Sequence, residues 1–250
     1  MPPSDKTVYL VSGANRGIGY GLVAALAARP DAIVFAGARD PAAKSLTDLA
    51  ATHPNVRPVK LTAGDKADNE ATIAEIRKSA GRLDVLFANA GISKHYGPLA
   101  AAPLADLRDH WEVNTLGLVV LFQAAHELLL ASPTGAPVLA YISSAAGSIG
   151  SYLHLSASAY GSSKAAANFL VKVLDNEHPS LITMSINPGW VATDMGNAAA
   201  VVLGRPTAPV PVDASVKGIL SRVDGATKEK SSGRFWNIKA SGLPSEEIMW

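Results

Sequence analysis

The sequence contains no cysteine, so it can form neither a disulfide framework nor a thiolate metal site. Its six histidines show no spacing typical of metal ligands, and we therefore predict no metal. An excess of charge of one sign is also lacking. The formal net charge of +1 offers no general attraction to nucleic acid or to an anionic membrane. These absences leave a small molecule as the expected partner.

A long uninterrupted apolar run is missing as well. The first residues show no basic stretch followed by a long apolar one, which argues against a secretory signal. The longest apolar run, 116–131, is interrupted by Gln123, His126 and Glu127 and is short for a bilayer span. We expect a soluble, cytoplasmic protein with no membrane contact.

Short apolar segments alternate with longer helical patterns along the chain. Nearly continuous apolar strands separated by helices predict a parallel sheet covered on both faces. We therefore predict an α/β fold in which residues 1–250 form a single doubly wound domain with about seven strands. The predicted strands are 7–12, 32–38, 56–61, 83–91, 137–144, 181–189 and 233–238. The predicted helices are 17–29, 41–53, 68–80, 103–130, 159–177 and 212–226, with loops at 148–159 and at 195–211, the second a substrate loop.

Three glycines, Gly13, Gly17 and Gly19, stand between the first strand and the first helix. Backbone without side chains can approach a pyrophosphate there, and the helix N-terminus offers free N–H groups. An ordinary strand–helix turn is the alternative reading of such a spacing. The position directly after the first strand favours a dinucleotide site of the Rossmann type.

The end of the second strand indicates which dinucleotide. A site for NAD usually places Asp or Glu there, against the ribose 2′-hydroxyl. Ala38 and Arg39 occupy that place instead, and Asp40 is expected to turn away. Each of Arg39 and Arg16 taken singly could be an ordinary surface residue, but together they can pair with a 2′-phosphate. The sequence therefore predicts NADP(H).

Further short motifs follow in order: NAG at 89–91, VN at 113–114, ISS at 142–144, YGSSK at 160–164 and NPGWVATDM at 187–195. With the glycine loop SGANRGIG, they resemble the compact short-chain dehydrogenase/reductases over nearly the whole length. The segments ATKEKSSGRFWN, TDMG and LGRPTAP are most similar to fungal carbonyl reductases of the norsolorinic acid ketoreductase type.

The resemblance implies a catalytic set of Asn114, Ser144, Tyr160 and Lys164. Ser144 is preferred to Ser143 because it lies three residues before Gly147. Asn114 is expected to anchor a water beside Lys164. The predicted cofactor-binding residues are Gly13, Asn15, Arg16, Gly17, Ile18, Gly19, Arg39, Thr62, Asn89, Ala90, Gly91, Tyr160, Lys164, Pro188, Gly189, Val191 and Thr193.

Two of these assignments concern the adenine end. Asn89 is expected to close over the adenine side of the cofactor, although a simple turn residue would look the same. Thr62 stands where the family commonly has an Asp that binds the adenine amino group. The sequence therefore leaves the recognition of adenine open.

Tyr160 and Lys164 are four residues apart, which places them on one face of a helix. Taken alone, the pair could be an accident of a surface helix. An ammonium about 4 Å from the phenol would stabilise the phenolate by roughly 4 kcal/mol at an effective dielectric of about 20, or about three pKa units. We therefore expect Tyr160 to titrate near neutrality and to donate the proton, with Ser144 hydrogen-bonding the substrate oxygen.

These residues predict an NADPH-dependent carbonyl reductase acting on a ketone or aldehyde, with Trp190 and His154 as candidates for the substrate wall. One alternative is an alcohol dehydrogenase working mainly in the oxidative direction, which would favour an acidic ribose ligand. Another is an NADP-binding sensor without turnover, which would lack Tyr160 or Lys164. A membrane-bound steroid or retinoid enzyme would need an N-terminal anchor. The sequence leaves open whether the chain is a monomer, dimer or tetramer.

Overall fold

In the computed structural model, which describes residues 6–153 and 155–250, seven parallel strands form one sheet in the order β3-β2-β1-β4-β5-β6-β7. The sheet confirms the predicted doubly wound α/β class. Because the strand order reverses between β1 and β4, a crevice opens at their carboxyl ends. The strands are β1 (Thr7–Ser12), β2 (Ala32–Ala38), β3 (Val56–Lys60), β4 (Val85–Ala88), β5 (Val138–Ile142), β6 (Ile182–Asn187) and β7 (Arg234–Asn237).

Helices cover both faces of this sheet. They are α1 (Gly17–Ala27), α2 (Lys44–Thr52), α3 (Lys66–Ser79), α4 (Leu104–His110), α5 (Gly117–Leu130), α6 (Ser158–Glu177), α7 (Asp194–Val202), α8 (Val212–Asp224) and α9 (Lys228–Ser231). Successive strand side chains point to opposite faces, so Tyr9 and Val11 pack with α1, α2 and α8. Val8 and Leu10 pack with α3, α5 and α6 on the other face. Two apolar layers therefore hold the strands rigidly.

The predicted helix at 103–130 is continuous but not uniform. A π-helical segment, Trp111–Leu116, joins α4 to α5. The whole helix is 27 residues long and is apolar enough to cross a membrane by length and composition alone, yet half of its most apolar window is buried inside the protein. A core helix of a soluble protein meets the same criterion, so this helix gives only weak support for a membrane span.

Two predicted segments need correction. The second helix begins at Lys44 rather than at residue 41, because the Asp40 carboxylate accepts the Ala42 N–H at 3.0 Å and forms a turn there. The predicted loop at 195–211 contains α7. The Thr193 hydroxyl caps this helix by accepting the Gly196 N–H at 3.1 Å. The many small residues of this segment predicted a loop where the structure has a helix.

Pro58 lies in β3, where a proline is poorly suited to an interior strand. β3 pairs only with β2 and forms the edge of the sheet. An edge strand has a free side on which the missing N–H is not needed. The third predicted strand is therefore compatible with its proline.

Candidate active site

The glycine loop lies between β1 and α1, at the crevice where the strand order reverses. Gly13 and Gly17 have φ of 67° and 56°, values that side chains other than glycine rarely adopt. Gly19 has an ordinary φ, but a Cβ placed on it would lie 2.1 Å from the Gly13 carbonyl oxygen. All three positions therefore require glycine, and the backbone is open to a ligand approaching the start of α1.

Asn89 fastens this loop to β4. Its side-chain amide donates to the carbonyl oxygens of Ser12 at 2.9 Å and Gly13 at 3.2 Å. The Ser12 hydroxyl accepts the N–H groups of Asn89 and Ala90. These bonds use the amide nitrogen and brace the glycine loop, and the expectation that Asn89 closes over the adenine side of the cofactor stays a prediction.

The ribose end of the site carries exposed cations. Arg16 and Arg39 are both exposed, and Arg16 makes a single exposed ion pair with Asp194 at 3.3 Å. Asp40 does turn away, since its carboxylate is hydrogen-bonded to the Ala42 N–H. Ala38, which ends β2, is buried. The end of β2 is therefore positive rather than acidic.

Thr62 and Asn15 lie beside this end with groups that are already engaged. The Thr62 hydroxyl and Lys60 hydrogen-bond the Asp68 carboxylate and lower the pKa of Asp68. The Asn15 carbonyl accepts the Ser45 hydroxyl at 2.8 Å. Recognition of adenine by Thr62 remains a prediction.

The proton-transfer group lies at the carboxyl end of β5 and in the first turns of α6. Ser144 follows β5 and hydrogen-bonds Tyr160, and both line one cavity of about 720 Å³. Ser143 points the other way, where its buried hydroxyl donates to Asn168 Oδ1 at 2.6 Å. The structure therefore brings Ser144, and not Ser143, to the phenol.

Burial controls the titration of this group. It raises the pKa of Tyr160 to about 12, against the opposing effect of the Ser144 hydrogen bond, and Tyr96 raises it further. The prediction that Tyr160 titrates near neutrality is therefore wrong for this structure. The phenol is held in its protonated form, which is the form that can donate a proton.

Lys164 is buried on the same helix, and its ammonium donates to the Ile142 carbonyl at 2.9 Å. The Nζ atom lies 5.7 Å from the ring centre of Tyr160. No carboxylate of residues 6–153 or 155–250 forms an ion pair with Lys164. Burial lowers the pKa of Lys164 to about 7. Its charge is therefore too weakly held at neutral pH to lower the pKa of Tyr160 as expected.

Asn114 lies in the π-helical segment, and its side chain is fully bonded to protein. Its Oδ1 accepts the Ile92 N–H at 2.8 Å, and its Nδ2 donates to the Ile92 carbonyl and the Ser163 hydroxyl. The expectation that Asn114 anchors a water beside Lys164 stays a prediction. A Cβ on Gly91 would lie 3.1 Å from Asn114 Oδ1 and 3.4 Å from Lys164 Nζ, so Gly91 leaves space between these two side chains.

His110 is a site residue that the sequence did not reveal. It is fully buried, and its ring packs edge-on against Tyr160 with centroids 6.4 Å apart. Its Nε2 accepts the Lys94 N–H at 3.1 Å, so Nδ1 carries the proton and donates to the Asp106 carbonyl. The sequence could have indicated His110, because it lies four residues before Asn114 and therefore about one helical turn away on the same face.

Several other predicted cofactor-binding residues line the same cavity. They are Ile18, Pro188, Gly189, Val191 and Thr193, together with Trp190 from the candidate substrate wall. A Cβ on Gly17 would lie 3.1 Å from the Thr193 methyl, so the glycine loop faces this wall. His154, the other wall candidate, lies outside the described residues.

Polar groups are a minority of this cavity's lining. The Tyr96 hydroxyl lies 2.7 Å from the Ser93 hydroxyl. Besides these two residues and the pair of Ser144 and Tyr160, the polar lining residues are Ser156, Asn187, Thr193 and Ser241. Most of the lining is apolar, including Leu153, Leu155, Met195 and Leu203. The part of the chain that the structure describes holds no cluster of three or more side chains suited to a metal. The cavity therefore suits a largely apolar organic molecule.

A glycine cradle at the strand-order reversal and a phenol–serine pair facing a mostly apolar cavity define the class: an oxidoreductase that uses a nicotinamide dinucleotide. The short chain dehydrogenase profile matches residues 7–201. The chain therefore belongs to the short-chain dehydrogenase/reductase family, as the sequence motifs indicated.

Individual relatives agree with this assignment. The norsolorinic acid ketoreductases of Dothistroma septosporum and Aspergillus parasiticus are each 39% identical to this chain, covering 93% of it and 90% and 89% of their own lengths. A structure of NADPH-bound carbonyl reductase from chicken fatty liver superposes with a TM-score of 0.84 at 32% identity, over 98% of this chain and 99% of that one. The carbonyl reductase Sniffer of D. melanogaster gives 0.85 at 29% identity with the same coverage.

Proposed function

We propose that the protein is an NADPH-dependent carbonyl reductase that reduces bulky, apolar ketones or aldehydes. The observation that carries this proposal is the pair of Tyr160 and Ser144, hydrogen-bonded to each other and facing a mostly apolar cavity beside the glycine loop. Reduction of a carbonyl consumes one proton, and a phenol with a pKa of about 12 holds that proton at neutral pH.

The glycine loop fits a dinucleotide, since Gly13 and Gly17 leave its backbone without side chains before α1 and the absence of a side chain at Gly19 lets the loop pack closely on the helix start. A reduced nicotinamide held there would supply the hydride that the carbonyl carbon needs. The Ser144 hydroxyl then donates a hydrogen bond to the carbonyl oxygen, where negative charge develops. Tyr160 gives that oxygen its proton, and Lys164 lies one helical turn further along α6.

The same chemistry disfavours the oxidative alternative at neutral pH. Oxidation of an alcohol requires Tyr160 to accept a proton, and therefore requires its phenolate. A pKa of about 12 makes the phenolate scarce below that pH. Raising the pH should consequently favour oxidation, whereas reduction is the direction for which the phenol is prepared.

Preference for NADPH over NADH follows from the charges at the end of β2. Arg16 and Arg39 are exposed, and only a weak, exposed ion pair with Asp194 holds Arg16, so both can approach a 2′-phosphate. The Asp40 carboxylate is engaged by the backbone. The NADPH-bound carbonyl reductase among the structural neighbours supports this choice. We expect Arg39→Ala to raise the KM for NADPH about tenfold and to leave the KM for NADH unchanged. Arg77→Ala, an exposed arginine on α3, is the control.

The size and lining of the cavity support a bulky substrate. About 720 Å³ of mostly apolar space is large for a small ketone, even with a nicotinamide occupying part of it. Relatives named norsolorinic acid ketoreductase also support a ketone substrate.

The test is NADPH oxidation measured over a panel of ketones and aldehydes of increasing size, with Tyr160→Phe beside the wild type. The variant should lose at least a hundredfold in kcat because it cannot donate the proton. Tyr20→Phe on α1, which removes a hydroxyl away from the cavity, should keep full activity. Equal rates for wild type and Tyr160→Phe would show that another group is the acid.

A further inference from the structure

Tyr141 lies beneath the proposed catalytic residues and has no role yet assigned. It belongs to β5, three residues before Ser144, and is one of the largest fully buried side chains of the described residues. Its ring points to the face of the sheet that α5 and α6 cover. Both ends of this side chain meet the active site.

The ring contacts Lys164. The Lys164 Nζ lies 4.7 Å from the centroid of the Tyr141 ring, closer than its 5.7 Å to the centroid of Tyr160. The π face of an aromatic ring attracts a cation, and this attraction strengthens when water is excluded. The Ile142 carbonyl is the hydrogen-bond acceptor of the ammonium. The groups facing the cation are therefore two aromatic rings and one carbonyl, without a carboxylate among the described residues.

The hydroxyl contacts the π-helical segment. It donates to the main-chain carbonyl of Asn114 at 3.1 Å. The side chain of Asn114 holds the backbone of Ile92 and the hydroxyl of Ser163, one residue before Lys164. One aromatic side chain thus joins the ammonium of Lys164 to the carbonyl of Asn114, which lies 27 residues before Tyr141 in the sequence.

We propose that Tyr141 is a positioning residue, whose ring stabilises the ammonium of Lys164 and whose hydroxyl fixes the backbone of Asn114. Its importance for turnover rests on the proposed carbonyl reduction, whereas its effect on Lys164 does not. Burial already lowers the pKa of Lys164 to about 7, so loss of the ring should lower it further.

Two substitutions separate the two contacts. Tyr141→Phe keeps the ring and removes the hydroxyl, whereas Tyr141→Leu removes both. Tyr141→Met replaces the leucine variant if that variant does not fold. Phe35→Leu, at a fully buried position of β2 in the same apolar layer, is the control for loss of an aromatic side chain away from Lys164.

The first measurement is a pH titration of the lysine Cε resonances by ¹³C NMR in the cofactor-free protein, with Lys164 assigned by its loss in Lys164→Arg. We expect the Lys164 midpoint to fall by about one pH unit in Tyr141→Leu. It should stay unchanged in Tyr141→Phe and Phe35→Leu. An unchanged or raised midpoint in both Tyr141→Leu and Tyr141→Met would overturn the proposal for the ring.

The second measurement is the steady-state reduction of the best substrate across pH. Tyr141→Phe should lower kcat about tenfold with little change in KM, because Asn114 loses its anchor while the substrate wall is intact. A kcat equal to that of the wild type would overturn the proposal for the hydroxyl. If the wild type reduces no carbonyl, the proposed function fails, and the NMR titration still decides the role of the ring.

Discussion

A buried lysine without a carboxylate partner should destabilise the fold, and Lys164 provides a measure of this cost. Its pKa falls from the ordinary 10.5 to about 7 on folding, which corresponds to about 4 to 5 kcal/mol of lost stability when the unfolded chain is fully protonated. Replacing it by Met removes this cost and leaves the Ile142 carbonyl without its donor, a loss of about 1 kcal/mol. We expect Lys164→Met to stabilise the cofactor-free protein by about 3 kcal/mol at pH 7.

The pH dependence of stability tests whether the buried charge of Lys164 is the cause of this cost. Between about pH 7 and 10.5 the unfolded chain binds a proton at Lys164 that the folded chain does not. Wild-type stability therefore rises with pH across this window by about 1.4 kcal/mol per unit from this group alone. Lys164→Met lacks this contribution, so the gap between variant and wild type should be widest below pH 7 and should close toward pH 10.5.

The assay is urea denaturation of both proteins without cofactor, from pH 6 to pH 10, followed by tryptophan fluorescence. Lys217→Met, at an exposed position of α8, is the control and should change stability little at any pH. A gap that stays constant with pH would mean that the variant gains stability by packing and not by loss of a buried charge. A less stable Lys164→Met would refute the reasoning altogether.

Three further predictions concern neighbouring positions. Gly19→Ala should abolish NADPH binding, measured by quenching of protein fluorescence, because its Cβ would lie 2.1 Å from a loop carbonyl, whereas Gly225→Ala should bind normally. His110→Phe removes the acceptor of the Lys94 N–H and so loosens the backbone beside the cavity. We expect it to lower kcat about tenfold in the NADPH assay without loss of cofactor affinity. Ser144→Ala should lower kcat at least a hundredfold, but Ser143→Ala should instead cost about 1 to 3 kcal/mol of unfolding free energy in urea.

Much of the fold could be predicted because local patterns determine it. Most of the seven strands are short apolar runs, which alone predict strands buried on both faces, whereas the edge strands β3 and β7 carry charged residues. The predicted start of α2 was too early. Pro41 favours the first turn of a helix, whereas the Asp40 carboxylate accepts the Ala42 N–H and forms a separate turn there. α7 was not predicted because Thr193, which caps this helix, was assigned only to the cofactor site. Local pattern thus predicts which elements exist, whereas hydrogen bonds of single side chains decide where they begin.

The site divides in the same way. Ser144, Tyr160 and the glycines were found because motifs at fixed spacing mark them. The protonation of Tyr160 was mispredicted because a spacing of four residues gives the distance to Lys164 but not the burial of either group. His110 and Tyr141 were missed because their contacts join segments that are far apart in sequence or belong to a loop backbone.

The π-helical segment at Trp111–Leu116 lets a single helix satisfy two demands that a regular one could not. It turns the side chain of Asn114 toward Ile92 and Ser163 and, a few residues later, turns the apolar stripe of α5 toward the sheet. Such a wide turn is equivalent to one inserted residue, or about 100° of helical rotation. Deleting a residue here would give a more regular helix in which either the Asn114 amide or the apolar face of α5 points the wrong way. An engineer of this scaffold must therefore preserve the irregular turn.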